Sequence, residues 1–194
     1  MANDLTVVKV GGSLYDLPDL GPRLWRWLDT RVDDVILVPG GGPLADAVRQ
    51  LDAWQGLGEE NAHWLALHAL GLNALFLRRV LGPASEVTDE PVCSHLWADV
   101  VPLLSPLAFV RADEQRPDHL PHTWDVTSDS IAARFAIVNG ARTLVLLKSV
   151  TVPPEMTWAE ASRLGLVDRM FPRLIEQAGP GLRVEVINFR EWRP

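Results

Sequence analysis

The stretch Leu5-Thr6-Val7-Val8-Lys9-Val10-Gly11-Gly12-Ser13 decides the fold. Its apolar and β-branched run, broken only by Lys9, predicts a strand buried on both faces. Two glycines and a serine end it abruptly. A buried strand carries a lysine at a cost, because a desolvated ammonium must be paired. At the carboxyl end of a parallel strand, however, the ammonium reaches the crevice where open α/β sheets bind ligands. Gly11 and Gly12 beside it let a bulky anion approach backbone N–H groups closely. Lys9, Gly11, Gly12 and Ser13 therefore read as a phosphate site. An ordinary strand-to-helix turn with a snorkelling lysine gives the same sequence, and the stretch alone leaves both open.

A second junction of the same kind follows. Residues 35–38 predict a short buried strand that runs into Pro39-Gly40-Gly41-Gly42-Pro43 and then a helix over 44–51. Three consecutive glycines exceed what a tight turn needs, which favours a second anion-binding turn. Helical periodicity marks the second half of 14–29, then 61–81, 105–110, a segment from about 128 to 139, 157–164 and 168–177. Strand-like runs fall at 98–104, 143–147 and 182–187. Strands alternate with helices throughout. The expected fold is α/β, a three-layer α/β/α sandwich with a mostly parallel central sheet. No repeat, low-complexity tract or linker divides the chain, so one domain is expected over residues 1–194.

Composition narrows the function classes. Of 194 residues, 47% are hydrophobic and 22% charged, as in a globular chain with a sizeable core. The net charge of −7 argues against nucleic-acid and anionic-membrane partners. No apolar run reads as long enough to span a bilayer. The single Cys93 excludes an internal disulfide, and with no basic leader at the start it fits a reducing cytoplasm. Eight tryptophans are expected mainly in the core and in the interface of a homo-oligomer. Only two of the 18 basic residues are lysines, Lys9 and Lys148, and both end strand-like runs.

The segment Trp124-Asp125-Val126-Thr127-Ser128-Asp129-Ser130 opens a helix. Thr127 or Ser128 could cap it. Asp125 then sits just before the helix and Asp129 in its first turn, where acids complement the helix dipole. His68 falls on the apolar side of the helix over 61–81. A core or interface role is the commoner one for such a histidine, and a ligand contact is the alternative. Neither G-x-x-x-x-G-K-[ST] nor G-x-G-x-x-G after a strand occurs. No Cys/His set has zinc spacing, so no protein-held metal is expected.

Three elements remain: Lys9 with Gly11 and Gly12, the run Gly40-Gly41-Gly42, and Asp125 with Asp129 at a helix start. In this order, after these strands, they resemble the amino acid kinase family, which includes acetylglutamate, uridylate, aspartate and isopentenyl phosphate kinases. Asp129 falls where the family has a catalytic-site aspartate, and Asp125 where acetylglutamate kinases have an asparagine. Trp158-Ala159-Glu160-Ala161 through Gly165, and residues 183–188, are similar to the family's last helix pair and strand. Within the family, residues 124–130 resemble a narrower branch, as do Val167-Asp168 and Phe171-Pro172-Arg173. That branch is the aminomethylfuran phosphate kinases of methanofuran and tetrahydromethanopterin-type C1-carrier biosynthesis.

The resemblance implies transfer of the γ-phosphoryl group of ATP to a small acceptor, such as an aminomethylfuran phosphate, with Mg²⁺ on the nucleotide phosphates. It implies catalytic roles for Lys9, Asp129 and Arg173. Arg173 stands for a late-chain lysine of the family, keeping its charge but not its point geometry. Gly11, Gly12, Ser13, Gly40, Gly41, Gly42 and Lys148 would bind phosphates. Asp125 would meet an acceptor ammonium, alongside Trp124, Thr127, Ser128 and His68. Asp129 would pin Lys9 and not serve as an obligatory base, because a phosphate monoester needs little proton removal. One departure stands out. The family's Asp-x-x-Gly-Val/Ile-Tyr segment is missing, and residues 149–155 run almost directly into the next helix. That shortening motivates one alternative, a non-catalytic member that binds a metabolite or nucleotide. The other is a same-fold kinase for an acylamino acid, a nucleoside monophosphate or an isoprenyl phosphate.

Overall fold

The computed structural model describes residues 5–82, 84–88 and 100–193. Cys93 and the start of the strand expected over 98–104 lie outside the described residues. A six-stranded sheet is built from β1 (Leu5–Val10), β2 (Asp34–Pro39), β3 (Ala84–Val87), β4 (Val101–Leu104), β5 (Thr143–Lys148) and β6 (Arg183–Asn188). Their order is β3-β4-β2-β1-β5-β6 and every pairing is parallel. Seven helices connect them among the described residues: α1 (Leu20–Leu28), α2 (Gly42–Gln55), α3 (Glu59–Leu81), α4 (Pro106–Asp113), α5 (Ser128–Val138), α6 (Trp158–Arg163) and α7 (Phe171–Ala178). β3 has no counterpart in the sequence expectation. Its four residues are too few for a period-2 pattern to declare itself.

The two-residue period of the strands sorts the core into two layers. Leu5, Val7, Leu144 and Leu146 face a cluster with Ile131, Ala132 and Phe135 of α5 and with Phe171 of α7. Val8, Val10, Val145 and Leu147 face Leu20, Leu24 and Trp27 of α1. Lys9 shares its face with Val7, and Lys148 with Leu146, so both lysines leave the sheet toward α5.

α3 corrects one expectation. It is long and apolar enough, by length and composition, to cross a membrane, where the sequence reading finds no such run. In this fold Leu67, Leu70, Leu77 and Leu81 are buried in the two core layers. Leu65, Leu72, Leu75, Phe76 and Val80 stand exposed on its outer side.

Candidate active site

β1 and β5 lie side by side with Lys9 opposite Leu146 and Val10 opposite Leu147. Lys148 therefore stands two residues beyond Lys9's neighbour, on the same face. Asp129, in the first turn of α5, meets both ammonium groups. Its Oδ1 lies 2.9 Å from Lys9 Nζ. Lys148 Nζ donates to Oδ1 at 2.8 Å and to Oδ2 at 2.7 Å. All three side chains are buried: Lys9 is 6% exposed, Asp129 5% and Lys148 8%. Burial pushes the Asp129 carboxyl up, but the charges of Lys9 and Lys148 outweigh it and hold the group below its ordinary value. Burial first, and then the charge of Lys9, push the Lys148 ammonium down to about 8 against the pull of Asp129. Two ammonium groups share one carboxylate in direct contact, with the Asp168 carboxylate at longer range from Lys148. Buried ammonium groups that share a carboxylate in this way favour an anion beside them.

The two glycine turns form the wall beside this cluster, and they touch backbone to backbone. A Cβ on Gly12 would stand 2.1 Å from the amide nitrogen of Gly42, and one on Gly40 2.3 Å from that of Gly12. Gly42 takes φ +52°, a conformation that side chains disfavour. The glycine run thus does more than turn the chain: it lets two loops close to contact distance. Asn73 of α3 secures the second loop, donating from Nδ2 to the Gly40 carbonyl at 2.8 Å and to that of Gly41 at 2.6 Å. The Tyr15 hydroxyl donates to the Gly40 carbonyl at 3.0 Å. The Gly11 amide donates to Leu147 O at 2.9 Å, tying the first loop to β5.

The opposite wall is assembled by a residue that the sequence reading left without a role. Asp168, between α6 and α7, reaches across to the start of α5. Its Oδ2 accepts from the Thr127 amide at 2.9 Å, the Thr127 hydroxyl at 2.8 Å and the Ser130 amide at 3.0 Å. Its Oδ1 accepts from the Ser130 hydroxyl at 2.5 Å and from the Phe171 amide at 3.0 Å. Burial, and then the charge of Asp129, push the Asp168 carboxyl up. Thr127 occupies the cap position of α5, but its hydroxyl makes no capping bond. Asp168 supplies that acceptor from 41 residues downstream, and so fixes the turn that carries Asp129.

A cavity of about 390 Å³ opens between these walls. Lys9, Lys148, Gly11, Gly12, Ser13, Gly41 and Gly42 line it, together with the apolar Ala66, Leu67, Leu70, Val126 and Ile131. Trp124, Thr127 and Ser128 also line it. An open groove of about 1110 Å³ adjoins it on the α6–α7 side, sharing Arg49, Trp124, Thr127, Lys148, Gly165 and Leu166. Arg49 of α2, absent from the sequence candidates, lies 5.0 Å over the Trp124 ring. Asp52 Oδ2 accepts from Trp124 Nε1 at 2.8 Å and fixes that ring.

Four candidates fall elsewhere than expected. Gly40 packs behind the loops and does not line the cavity. Asp125 lines the groove, where Arg169 Nη1 donates to its Oδ1 at 3.4 Å. Arg173 is exposed on α7 and lines neither space. His68 is exposed and lines a separate apolar cavity of about 460 Å³ with Leu72, Leu75 and Leu103. The histidine in the main cavity is His63. Five residues along a helix rotate the direction by about 140°, so the two cannot share a face.

Comparison with known proteins places these features. The family model described as "Amino acid kinase family" matches residues 4–151. A curated relative is [5-(aminomethyl)furan-3-yl]methyl phosphate kinase of Methanocaldococcus jannaschii, 23% identical over 145 residues. That match covers 74% of this chain and 65% of the relative, so the chain spans under two thirds of the relative's length. Among solved structures, uridylate kinase from Archaeoglobus fulgidus superposes with a TM-score of 0.62 at 18% identity, covering 95% of this chain and 92% of that one. UMP kinase from Ureaplasma parvum gives 0.63 at 14% identity, with 97% and 91% covered. Carbamate kinase from Giardia lamblia bound to AMP-PNP gives 0.56 at 11% identity, with 96% and 93% covered. At these identities the likenesses show a shared fold.

Proposed function

The chain belongs to the amino acid kinase family, and from that premise we propose that it transfers the γ-phosphoryl group of ATP to a small phosphate monoester of the aminomethylfuran phosphate kind. The observation that carries this reading is the Lys9–Asp129–Lys148 cluster, two buried ammonium groups on one carboxylate, set against two loops so close that only glycine fits. The named substrate of the curated relative supports the choice of acceptor.

The two spaces divide the work. The cavity, lined by both ammonium groups and apolar side chains, takes the acceptor with its phosphate toward Lys9. The wider groove toward α6 and α7 takes the nucleotide. Lys148 stands at the boundary, lining both. Lys9 and Lys148 neutralise charge on the transferring group, where donors fixed in advance act most strongly. Asp129 holds both ammonium groups in place. Paired with two cations, it is a poor base, and an acceptor that is already a phosphate needs none. Lys148 takes the second-cation role that the family resemblance gives to Arg173.

The residues present fit ATP at the phosphate end. Mg²⁺, as the family resemblance implies, would enter on the nucleotide phosphates. When bound there it adds further neutralisation of phosphate charge. A homo-oligomer remains the expected assembly, supported by the exposed apolar side of α3.

The test is ADP release with MgATP and a panel of acceptors: [5-(aminomethyl)furan-3-yl]methyl phosphate, UMP, isopentenyl phosphate and N-acetylglutamate. Turnover with the furan phosphate above the others is the expected result. A second reading, a member that binds ligand without turnover, is favoured by the short connection over residues 149–157 between β5 and α6. Nucleotide binding with no ADP release on any acceptor would select it.

A further inference from the structure

We propose that Arg49 binds the phosphate group of the acceptor, clasping it with the Nε–Nη2 edge of its guanidinium. The inference rests on the acceptor site proposed above and names the residue that reads the acceptor's phosphate. Among the described residues, Arg49 and Lys148 are the two cationic side chains that line both the cavity and the adjoining groove. A phosphoryl group passing from a nucleotide in the groove to an acceptor in the cavity crosses that boundary.

The helix aims this side chain. Arg49 lies about two turns beyond Gly42, the first residue of α2. Helical side chains lean toward the helix N-terminus, and Arg49 does so: its Nη1 donates to Asp46 Oδ1, one turn back, at 2.6 Å. The guanidinium therefore reaches back along α2, in the direction of the Gly41–Gly42 turn. That turn and Ala45 line the cavity and not the groove, which gives the arginine to the ligand of the cavity. Trp124 braces it. The guanidinium carbon lies 5.0 Å from the centre of the Trp124 ring, and Asp52 Oδ2 fixes that ring by accepting from Nε1 at 2.8 Å. Contact through the flat face of a guanidinium leaves its edge donors able to bond.

Two of those donors are unpaired. Among the described residues, Arg49 Nε and Nη2 have no hydrogen-bond partner. Together they form a planar fork that matches two oxygens of a phosphate or a carboxylate. Arg31 uses the same edge on Asp33, with Nε donating to Oδ1 at 2.8 Å and Nη2 to Oδ2 at 2.6 Å. The Arg49 side chain is 47% exposed, and an exposed ion pair with Asp46 adds little by itself. It does not account for a fixed indole bracing the guanidinium where the two spaces meet. A phosphate bound there accounts for both. Lys9 and Lys148 then serve the transferring group, and Arg49 holds the group that receives it.

The experiment measures binding by calorimetry to the native protein, Arg49→Gln and Arg49→Lys. The probes, each added alone, are [5-(aminomethyl)furan-3-yl]methyl phosphate, its dephosphorylated alcohol and MgAMP-PNP. The native protein is expected to prefer the furan phosphate to the alcohol. Arg49→Gln should lose about tenfold in affinity for the furan phosphate, as when a charge-assisted pair is removed. The alcohol and MgAMP-PNP should bind nearly as before. Arg49→Lys should recover only part of the loss, because an ammonium cannot supply the fork. An unchanged furan phosphate affinity in Arg49→Gln, or full recovery in Arg49→Lys, overturns the inference. So does a loss for MgAMP-PNP as large as for the furan phosphate, or a native protein that does not prefer the furan phosphate to its alcohol. If Arg49→Gln melts early, Arg49→Lys, which keeps the charge and the stem, decides. ADP release with MgATP is read separately. Arg49-dependent binding without phosphorylation would end the kinase reading and leave Arg49 standing. Phosphorylation of the furan phosphate by Arg49→Gln at native efficiency would do the reverse.

Discussion

The two walls of the cleft are built from different material. On the β1–β2 side, backbone meets backbone: Gly12 and Gly42 approach so closely that one Cβ would collide at 2.1 Å. On the β5–α7 side, side chains do the joining, with Asp168 alone accepting five hydrogen bonds from α5 and α7. A backbone-built wall is rigid and tolerates no added atom. A side-chain-built wall can be retuned by substitution without moving the sheet. Lys9 and Lys148 both bond to Asp129 and join the two. The comparison predicts where damage is catalytic, where it is structural and where it is slight.

The largest effect is expected at the joint. A preorganised charged donor typically contributes about 10²–10³-fold to turnover. Lys9→Ala should lose at least that factor in ADP release while keeping much of its nucleotide affinity, because the effect falls on the transition state. Lys9→Arg should restore little, since a planar fork cannot occupy the point of the ammonium. Lys9→Met is the decisive variant. It keeps the aliphatic stem, and if it turns over near the native rate, Lys9 plays no part in the chemistry.

The same contrast explains what the sequence could and could not reveal. Lys9 and the glycine run were legible because each is a local anomaly, a charge in a buried strand and more glycines than a turn needs. The parallel sheet followed from the alternation of strand-like and helical runs. Asp168 was not legible as a structural acceptor, because its partners at Thr127 and Ser130 lie about forty residues upstream and meet it only through packing. His63 and His68 could not be told apart because α3 is apolar nearly all round, so its buried face had no clear phase. Arg173 was carried over from position in the chain, and position alone does not aim a side chain.

Next in size is the stability of the rigid wall. Gly12→Ala puts a methyl against backbone on the facing loop, where nothing flexible can yield. Overpacking of this kind costs about 1–3 kcal/mol. Gly71 of α3 is the contrasting control, with no heavy atom within 4 Å of an added Cβ. Gly71→Ala should stabilise the fold by about 0.5–1 kcal/mol, the usual gain from replacing a glycine inside a helix. Denaturant melts of the two variants give the comparison directly. A neutral Gly12→Ala would mean that the loops can part, and that the wall is less rigid than its contacts imply.

A smaller, graded effect belongs to the joint's second lysine. Lys148 titrates near 8 in the folded protein, against 10.5 for an ordinary lysine. Between those values the unfolded chain binds more protons than the folded one, so the stability of the ligand-free protein should rise with pH over that window. Anion binding should move the other way. It favours the charged form, so nucleotide affinity is expected to fall as pH climbs past about 8, by up to about tenfold per unit. Titrations and melts across pH 7 to 10 would show the two trends crossing. Lys148→Arg stays charged throughout and should flatten both, even if its affinity at neutral pH is lower. Parallel trends in the native protein would place the titrating group elsewhere.

The smallest effect separates position in the chain from position in space. Arg173 is exposed on α7 and lines neither the cavity nor the groove. Surface substitutions of this kind usually change stability by no more than about 0.5 kcal/mol. Arg173→Ala should therefore melt within a degree or two of the native protein and turn over within about twofold of it. Lys148→Ala, measured beside it, should lose far more. If Arg173→Ala instead matches the loss at Lys148, α7 must swing toward the nucleotide during turnover, bringing Arg173 to the phosphates. The side-chain-built wall would then be a moving part, and the added mobility should be visible as faster amide exchange along α7 than along α3. A slow-exchanging α7 together with an active Arg173→Ala variant would fix the second catalytic cation at the end of β5.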